Sequence, residues 1–319
     1  MTGSWWWAIR TSMRRGPAVV AFFVSLVVCT LHVVLRETWW RYEWHWAWYQ
    51  FHFGTILLGP VVAGIAYDWG AVLHRSRPVL EAAGRVWAAL TAAGAALVLA
   101  VLAAYLLVLG GVSVVVGRTT GLGPDAETFA TLAPPVALLI GCTAFGLAIG
   151  FRVGSRGLAP VWAIVTFAFL MAGYTVFPAR FTKVGGATAS LIGIRTRPEV
   201  QVGQVALFLG TSALVVGLAS LPRRSNAARA MASVGLALGL GGFALLSSQP
   251  KNEFRPHGYA LTCVGEEPTI CLEPGWVAAE PDIREPLARY DRSLAAADLP
   301  RFETYAQRWP CLLYTSRCV

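Results

Sequence analysis

Two cysteines near the carboxyl end have the types and spacing that most directly suggest chemistry. Cys263 and Cys271 flank the loop Val-Gly-Glu-Glu-Pro-Thr-Ile in a short polar segment. Such a segment cannot build a large core, so a covalent cross-link stabilises it wherever the compartment is oxidising. Two free thiols or half of a metal site are the alternatives, but no His or further Cys lies at ligand spacing. The pattern favours a Cys263–Cys271 disulfide outside the cytoplasm.

Two histidines at the boundary of apolar stretches raise a second possibility. His32 and His52 lie near facing ends of successive apolar runs, where two imidazoles at one depth could bind haem axially. No second His pair or c-type attachment motif accompanies them, and a boundary His is usually hydrated. The Trp- and Tyr-rich stretch 36–53 is typical of an interfacial belt, with a site for an amphipathic substrate as the alternative. We expect no cofactor and no metal.

Motifs for catalysis and nucleotide binding are missing from the sequence. Lys183 and Lys251 are the only lysines, and neither lies in a Gly-x-x-x-x-Gly-Lys loop. No Gly-x-Ser-x-Gly or His-Glu-x-x-His pattern occurs. Acidic and basic residues are also absent from within the apolar runs, which disfavours an ion-coupled transporter. We therefore expect a protein that is not an enzyme, and any energy must come from another polypeptide.

Seven charge-free stretches must position these residues. Each has about 20 residues or more, the length that a helix needs to cross a hydrocarbon core of about 30 Å. A content of 56% hydrophobic and 13% charged residues agrees with this interpretation. The predicted fold is an all-α polytopic membrane protein with about seven transmembrane helices and a small extracytoplasmic C-terminal domain. The stretches are Gly16 to Leu35, Trp44 to Tyr67, Val86 to Gly117, Thr128 to Phe151, Gly157 to Ala179, Val200 to Pro222 and Ala230 to Pro250.

The basic residues predict the orientation, because Lys and Arg are enriched in cytoplasmic loops. Eleven lie on one side: Arg10, Arg14, Arg15, Arg75, Arg77, Arg85, Arg152, Arg156, Arg223, Arg224 and Arg229. Seven lie on the other: Arg36, Arg41, Arg118, Arg180, Lys183, Arg195 and Arg197. We expect a multi-pass protein of the cell membrane with a cytoplasmic N-terminus and an extracytoplasmic C-terminus. The net charge of +9 reflects these loops and contacts with anionic lipid, and does not imply a nucleic-acid partner.

Four regions follow from these patterns. Residues 1–15 form a cytoplasmic or interfacial leader rich in Trp and Arg, residues 16–250 the transmembrane domain, and residues 251–310 the extracytoplasmic domain. Residues 311–319 read as the translation of a transposase adaptor used in sequencing libraries, so we expect them to be foreign. The native chain is then expected to continue beyond residue 310.

Two patches carry a family resemblance. The second apolar stretch ends in Leu58-Gly-Pro-Val-Val-Ala-Gly-Ile-Ala-Tyr-Asp-Trp69, and the basic segment Leu73-His-Arg-Ser-Arg-Pro-Val-Leu-Glu-Ala-Ala-Gly-Arg85 follows it. Together with the tail pattern Cys263-x7-Cys-Leu-x-Pro274, this order resembles actinobacterial permease-like proteins of the type-2 ABC exporter group.

The resemblance implies a permease subunit that pairs with a separate cytoplasmic ATPase, as a homo- or heterodimer of permeases, and exports an unidentified substrate. It also implies a candidate coupling segment from Asp68 to Arg85 that docks on the ATPase, whereas a solvated basic loop is the alternative. A second function remains open, in which the helices only anchor a disulfide-bonded outer domain for binding or sensing. The candidate coupling residues are Asp68, Arg75, Arg77, Leu80, Glu81 and Arg85.

Overall fold

Long helices dominate the computed structural model. It describes residues 16–36, 38–83, 86–175, 181–186, 190–220, 226–250, 252–266, 268–300 and 304–307. Within these residues, seven helical stretches are long and apolar enough to cross a membrane. The prediction of seven membrane-spanning helices with a small C-terminal region is confirmed. The leader at residues 1–15, the side chain of Arg85 and residues 311–319 lie outside the described residues.

The helices follow the charge-free stretches closely. In chain order they are α1 Pro17–Val34, α2 Trp44–Phe53, α3 Thr55–Arg75, α4 Arg77–Ala82, α5 Val86–Thr120, α6 Ala126–Ala130, α7 Ala133–Val153, α8 Ala159–Thr175, α9 Pro198–Ala219, α10 Asn226–Ser248 and α11 Glu280–Ala296. Short 3₁₀ turns cover Thr38–Tyr42, Arg156–Leu158 and Pro274–Ala279. The second span consists of α2 and α3, which meet at Gly54, and the fourth consists of α6 and α7.

Helix α5 extends beyond the hydrocarbon region. Its 35 residues correspond to about 52 Å at a rise of about 1.5 Å per residue, against a hydrocarbon thickness of about 30 Å. Its carboxyl-terminal end contacts the 3₁₀ turn Pro274–Ala279 of the tail. One helix therefore links the membrane region directly to the extramembrane part of the chain.

In the part of the chain that the structure describes, five short strands form two small sheets at this end of the helices. They are β1 Ile194–Thr196, β2 Phe254–Pro256, β3 Thr262–Val264, β4 Thr269–Leu272 and β5 Thr304–Ala306. Strands β1 and β2 pair antiparallel, and β4 pairs antiparallel with β3 and parallel with β5. Cys263 lies opposite Cys271 in the β3–β4 register, and a disulfide joins them. The predicted cross-link is therefore present.

The tail shares its core with residues from earlier in the chain. Tyr42 and Ile192 pack with Ile270, Leu272 and Trp276 in one buried cluster. Strand β1, which precedes α9, pairs with β2 of the tail. The described residues of 38–43, 181–197 and 252–307 are together called the outer layer. They include both sheets, α11 and the 3₁₀ turns at 38–42 and 274–279. The boundary expected at residue 250 thus divides the sequence, whereas the packing is continuous across it.

Glycines bring α3 and α7 into backbone contact. A Cβ atom at Gly146 would lie 2.2 Å from the carbonyl oxygen of Ala63, and one at Gly150 would lie 2.0 Å from that of Tyr67. Such distances are far below van der Waals contact, so only glycine fits at either position. Lipid supplies no hydrophobic force between helices, so close packing of small residues is what holds them together. The spacing of Gly146 and Gly150 therefore serves helix association.

A second pair of helices meets in the same way. Helix α9 packs most extensively against α10, and a Cβ atom at Gly210 would lie 2.3 Å from the backbone nitrogen of Gly239. A Cβ atom at Gly235 would lie 2.4 Å from the backbone nitrogen of Leu214. These two helices form a tight hairpin that precedes the tail.

Gly150→Ala tests the α3–α7 contact. The added methyl must push the helices apart, so we expect the free energy of unfolding in mixed detergent micelles to fall by about 1 to 3 kcal/mol. Gly111→Ala in α5 is the matched control, because nothing lies within 4 Å of a Cβ atom there. Alanine favours helix over glycine, so the control should be neutral or gain up to about 1 kcal/mol. Equal stability of the two variants would contradict the proposed contact.

Candidate functional site

The candidate coupling segment lies at the end of the helices opposite the outer layer. It comprises the last turns of α3, the single residue Ser76, and α4. Pro78 occupies one of the first positions of α4, where proline is favoured because its missing N–H needs no partner. Arg75 is exposed, and Arg85 lies outside the described residues. Since α3 begins at Thr55 near the outer layer and ends at Arg75, one helix connects the coupling segment to the other side of the molecule.

Asp68 is engaged in an ion pair within the chain. Its carboxylate accepts two hydrogen bonds from the Arg156 guanidinium, at 2.6 and 2.8 Å. The Arg156 side chain is half exposed, so the pair adds little to stability. The two-pronged geometry nevertheless fixes the start of the fifth span against α3. Asp68 is therefore a positioning residue.

Helix α4 presents one apolar side chain outward and another inward. Arg77 donates a hydrogen bond of 2.6 Å to Glu81 one turn later. The Arg77 guanidinium also lies 5.9 Å from the centroid of the Phe151 ring. Leu80 is half-buried and packs against the main hydrophobic core, whereas Val79 is 72% exposed. Leu80, one of the candidate coupling residues, therefore faces the helices, and Val79 is the apolar side chain that α4 leaves exposed.

The two boundary histidines each have protein partners. His32 forms a hydrogen bond of 3.0 Å from Nε2 to the carbonyl oxygen of Gln50. His52 is fully buried, with Nδ1 2.6 Å from the Tyr105 hydroxyl and Nε2 3.2 Å from Thr131 Oγ1. Both ring nitrogens of His52 are thus in use, and this arrangement does not form an axial haem pair. These contacts instead fasten α2 to its neighbours.

The outer layer contains ionisable groups that sequence reasoning did not identify as a site. Glu43 is 6% exposed, and its carboxylate accepts hydrogen bonds from Ser190 Oγ at 2.6 Å and from the Leu191 N–H at 2.9 Å. Burial raises the pKa of Glu43 to about 7, and the nearby Glu273 carboxylate adds to the rise. Burial likewise raises the pKa of Glu273. Two carboxylates in one poorly hydrated region are costly when both are charged.

A carboxylate and three aromatic rings surround the side chain of Lys183. Its Nζ lies 2.6 Å from Glu253 Oε1, which also accepts a hydrogen bond of 2.7 Å from the Tyr49 hydroxyl. The ammonium lies 5.4 to 5.8 Å from the centroids of the Tyr49, Tyr174 and Phe254 rings. Aromatic faces attract cations at such distances. The Lys183–Glu253 pair therefore connects the segment after α8 to the first strand of the tail.

A third, more exposed charge cluster joins α6 to β1 and β2. Arg255 Nη2 lies 2.7 Å from Glu127 Oε1, and His257 Nδ1 lies 3.9 Å from Glu127 Oε2. Arg195 lies 3.8 Å from Glu127 and 3.9 Å from Asp125. Arg195 is thus shared among several acids, so it serves as a full counter-ion to none of them.

The sequence gives little indication of these outer contacts. In the sequence, Lys183 and Arg195 contribute only to the count of basic residues that predicts the orientation. A weak signal exists in the rarity of lysine and in Glu43, an acid that lies between aromatic residues. The partners of Glu43 and Tyr49 lie 147 and 204 residues away in the chain, so no local pattern indicates them.

Comparison with protein-family models, with curated proteins and with solved structures found no match. The chemistry of the described residues therefore carries the functional argument. Those residues bring together no group of three or more His, Cys, Asp or Glu side chains able to hold a metal ion.

Lys183→Met tests the buried pair. It leaves Glu253, whose side chain is 6% exposed, without its cation, and we expect the free energy of unfolding to fall by about 3 to 5 kcal/mol. The double variant Lys183→Met/Glu253→Gln should recover most of this loss. Arg289→Met removes an exposed pair with Glu285 and should change stability by less than about 0.5 kcal/mol. If Lys183→Met lowers the free energy of unfolding no more than Arg289→Met does, the role of the pair is contradicted.

Proposed function

We propose that this chain is a membrane-spanning permease subunit of an ABC-type exporter, energised by a separate ATPase. The supporting observation is α4, a short helix that follows a span after one residue and is anchored to the bundle by Leu80. Val79 of α4 and Arg75, the last residue of α3, are both exposed and available to a partner. A short helix of this kind suits docking by a partner. Because only one residue separates it from the span, a displacement of α4 also displaces the span.

Helix α3 provides a path for transmitting such a push. It holds α7 through the glycine contacts and α8 through the Asp68–Arg156 pair. At Gly54 it continues into α2, whose Tyr49 contacts the outer layer. Energetic coupling between sites requires an element that both sites can bias. In this proposal α3 is that element, and a second permease subunit completes the exporter as a homo- or heterodimer.

The cell membrane and the orientation of the chain are part of the proposal. The seven helices are consistent with a multi-pass membrane protein, and the eleven-to-seven distribution of Lys and Arg favours a cytoplasmic N-terminus. The coupling segment then faces the cytoplasm, where an ATPase has access to ATP. The disulfide-bonded tail faces the oxidising exterior.

The anchor function is the second candidate, and the packing weighs against it. An anchored binding domain is expected to carry its own core and to depend little on the helices. Here Tyr42 and Ile192 share a core with Trp276 of the tail, and Lys183 pairs with Glu253. The outer layer and the helices therefore form one unit, as a transporter that moves as a whole requires.

Co-purification of an ATPase tests the exporter proposal. We expect affinity-tagged parent protein from native membranes to recover a nucleotide-hydrolysing partner, detected by mass spectrometry and by ATP hydrolysis. Val79→Asp places a charge in the docking contact and should reduce recovery at least about tenfold. Leu299→Asp, at a similarly exposed apolar residue of the outer layer, should leave recovery unchanged. Unreduced recovery with Val79→Asp at normal insertion, or no ATPase with the parent, would favour the anchor function.

Topology is checked by labelling single cysteines with a membrane-impermeant maleimide. The other four cysteines are replaced by alanine, and the oxidised Cys263–Cys271 pair is kept. Glu285→Cys in α11 should react in intact cells, whereas the exposed Ala83→Cys should react only after permeabilisation. Reaction of the Ala83→Cys variant in intact cells would reverse the proposed orientation.

A further inference from the structure

Residues 190–194 of the outer layer, called the strap, end at Ile194, the first residue of strand β1. Ser190, Leu191, Ile192 and Ile194 are all less than 9% exposed. Gly193 has φ of 74°, a left-handed conformation that favours glycine. Its carbonyl oxygen accepts a hydrogen bond of 2.9 Å from the His257 N–H. The strap is thus a buried, tightly turned segment that lies between α2 and the tail.

Glu43 holds the strap in place. Its two carboxylate oxygens accept hydrogen bonds from the hydroxyl of Ser190 and the backbone N–H of Leu191. Ser190 Oγ in turn accepts a hydrogen bond of 3.2 Å from the Ile192 N–H. One carboxyl group therefore organises the first three residues of the strap.

The charges facing Glu43 do not balance it. The charged groups that interact with it are Glu273, which precedes the turn 274–279, and Arg195 on β1. Arg195 also lies beside Asp125 and Glu127, and its Nη1 donates to the carbonyl oxygens of Leu191 and Ile194. When Glu43 ionises, its charge is opposed by that of a second carboxylate, with only a shared cation to offset it.

We propose that Glu43 and Glu273 make the strap a proton-controlled clasp, which is closed while Glu43 is neutral and loosens when Glu43 ionises. The clasp is a property of the outer layer. It does not depend on the exporter proposal.

The direction of the pH dependence follows from linkage. In the closed strap burial raises the pKa of Glu43 to about 7, against an ordinary value of 4.5. Glu273 adds to the rise, and the hydrogen bonds from Ser190 and Leu191 and the charge of Arg195 offset only part of it. When the strap opens, water reaches the carboxyl group and the ordinary value returns. A group whose pKa is raised in the closed form stabilises that form most below the lower pKa. Closure is therefore strongest below about pH 4.5 and weakens up to about pH 7.

The clasp can influence the membrane helices because the strap continues through β1 into α9. Strand β1 pairs with β2, and Arg197 directly precedes α9, which forms the tight hairpin with α10. Loosening the strap removes the buried contacts that hold the segment leading into α9 to Tyr49 of α2. A change in pH on this side of the membrane thus reaches the sixth span.

Hydrogen–deuterium exchange of the full chain in nanodiscs tests the clasp. The parent and Glu43→Gln are compared at the same pH, so that the intrinsic exchange rate cancels. For backbone amides of residues 190–196, we expect opening of the parent to rise about tenfold or more between pH 5 and pH 8. Glu43→Gln cannot ionise, and like the neutral acid it keeps one oxygen to accept from the Leu191 N–H and places a donor beside Ser190 Oγ. Its opening should therefore stay constant across this range.

Two further variants keep the test decisive. Glu273→Gln removes the facing carboxylate, so the midpoint of the transition should move to lower pH, and opening at pH 8 should decrease. Glu285→Gln, an exposed glutamate on α11, should behave like the parent. The clasp is refuted if the parent and Glu43→Gln respond equally to pH. An unmoved midpoint in Glu273→Gln refutes it as well, and this variant decides the matter should Glu43→Gln fail to insert.

Discussion

The close backbone contact between α3 and α7 is the interaction on which the rest of the molecule depends. Within lipid each helix satisfies its own backbone hydrogen bonds, but burial of apolar surface does not draw helices together. Gly146 and Gly150 let α7 approach the carbonyl oxygens of Ala63 and Tyr67. This contact fixes α3 at the centre of the helices, and α2 and α4 extend from its two ends.

Outside the hydrocarbon region, the packing of aromatic rings away from water holds the outer layer together. Trp39 and Trp46 stack on Trp276 with centroids 6.2 Å apart, and Tyr42 packs on the same ring. The aromatic stretch expected to act as an interfacial belt thus forms part of the core of the outer layer. Large rings exclude water effectively, and this is why ionisable groups such as Glu43 become buried there.

The two ends of the molecule suit different tasks for one physical reason. At the α4 end the ion pairs are partly exposed, and an apolar side chain, Val79, is left open. At the outer end, polar groups are buried and paired, as in Lys183 with Glu253. Exposed contacts are easily exchanged for those of a partner, whereas buried polar networks hold a unique arrangement. A docking role for α4 and a clasp at the strap agree with this difference.

The sequence by itself determined the seven spans, because the requirement for an apolar helix of sufficient length acts within each segment. It also indicated the Cys263–Cys271 disulfide, whose partners are eight residues apart. Only the tertiary structure decided that Leu80 faces the core, that Lys183 pairs with Glu253, and that Glu43 holds the strap. These outcomes depend on which distant segments meet and on how much water remains between them. No local pattern records either quantity.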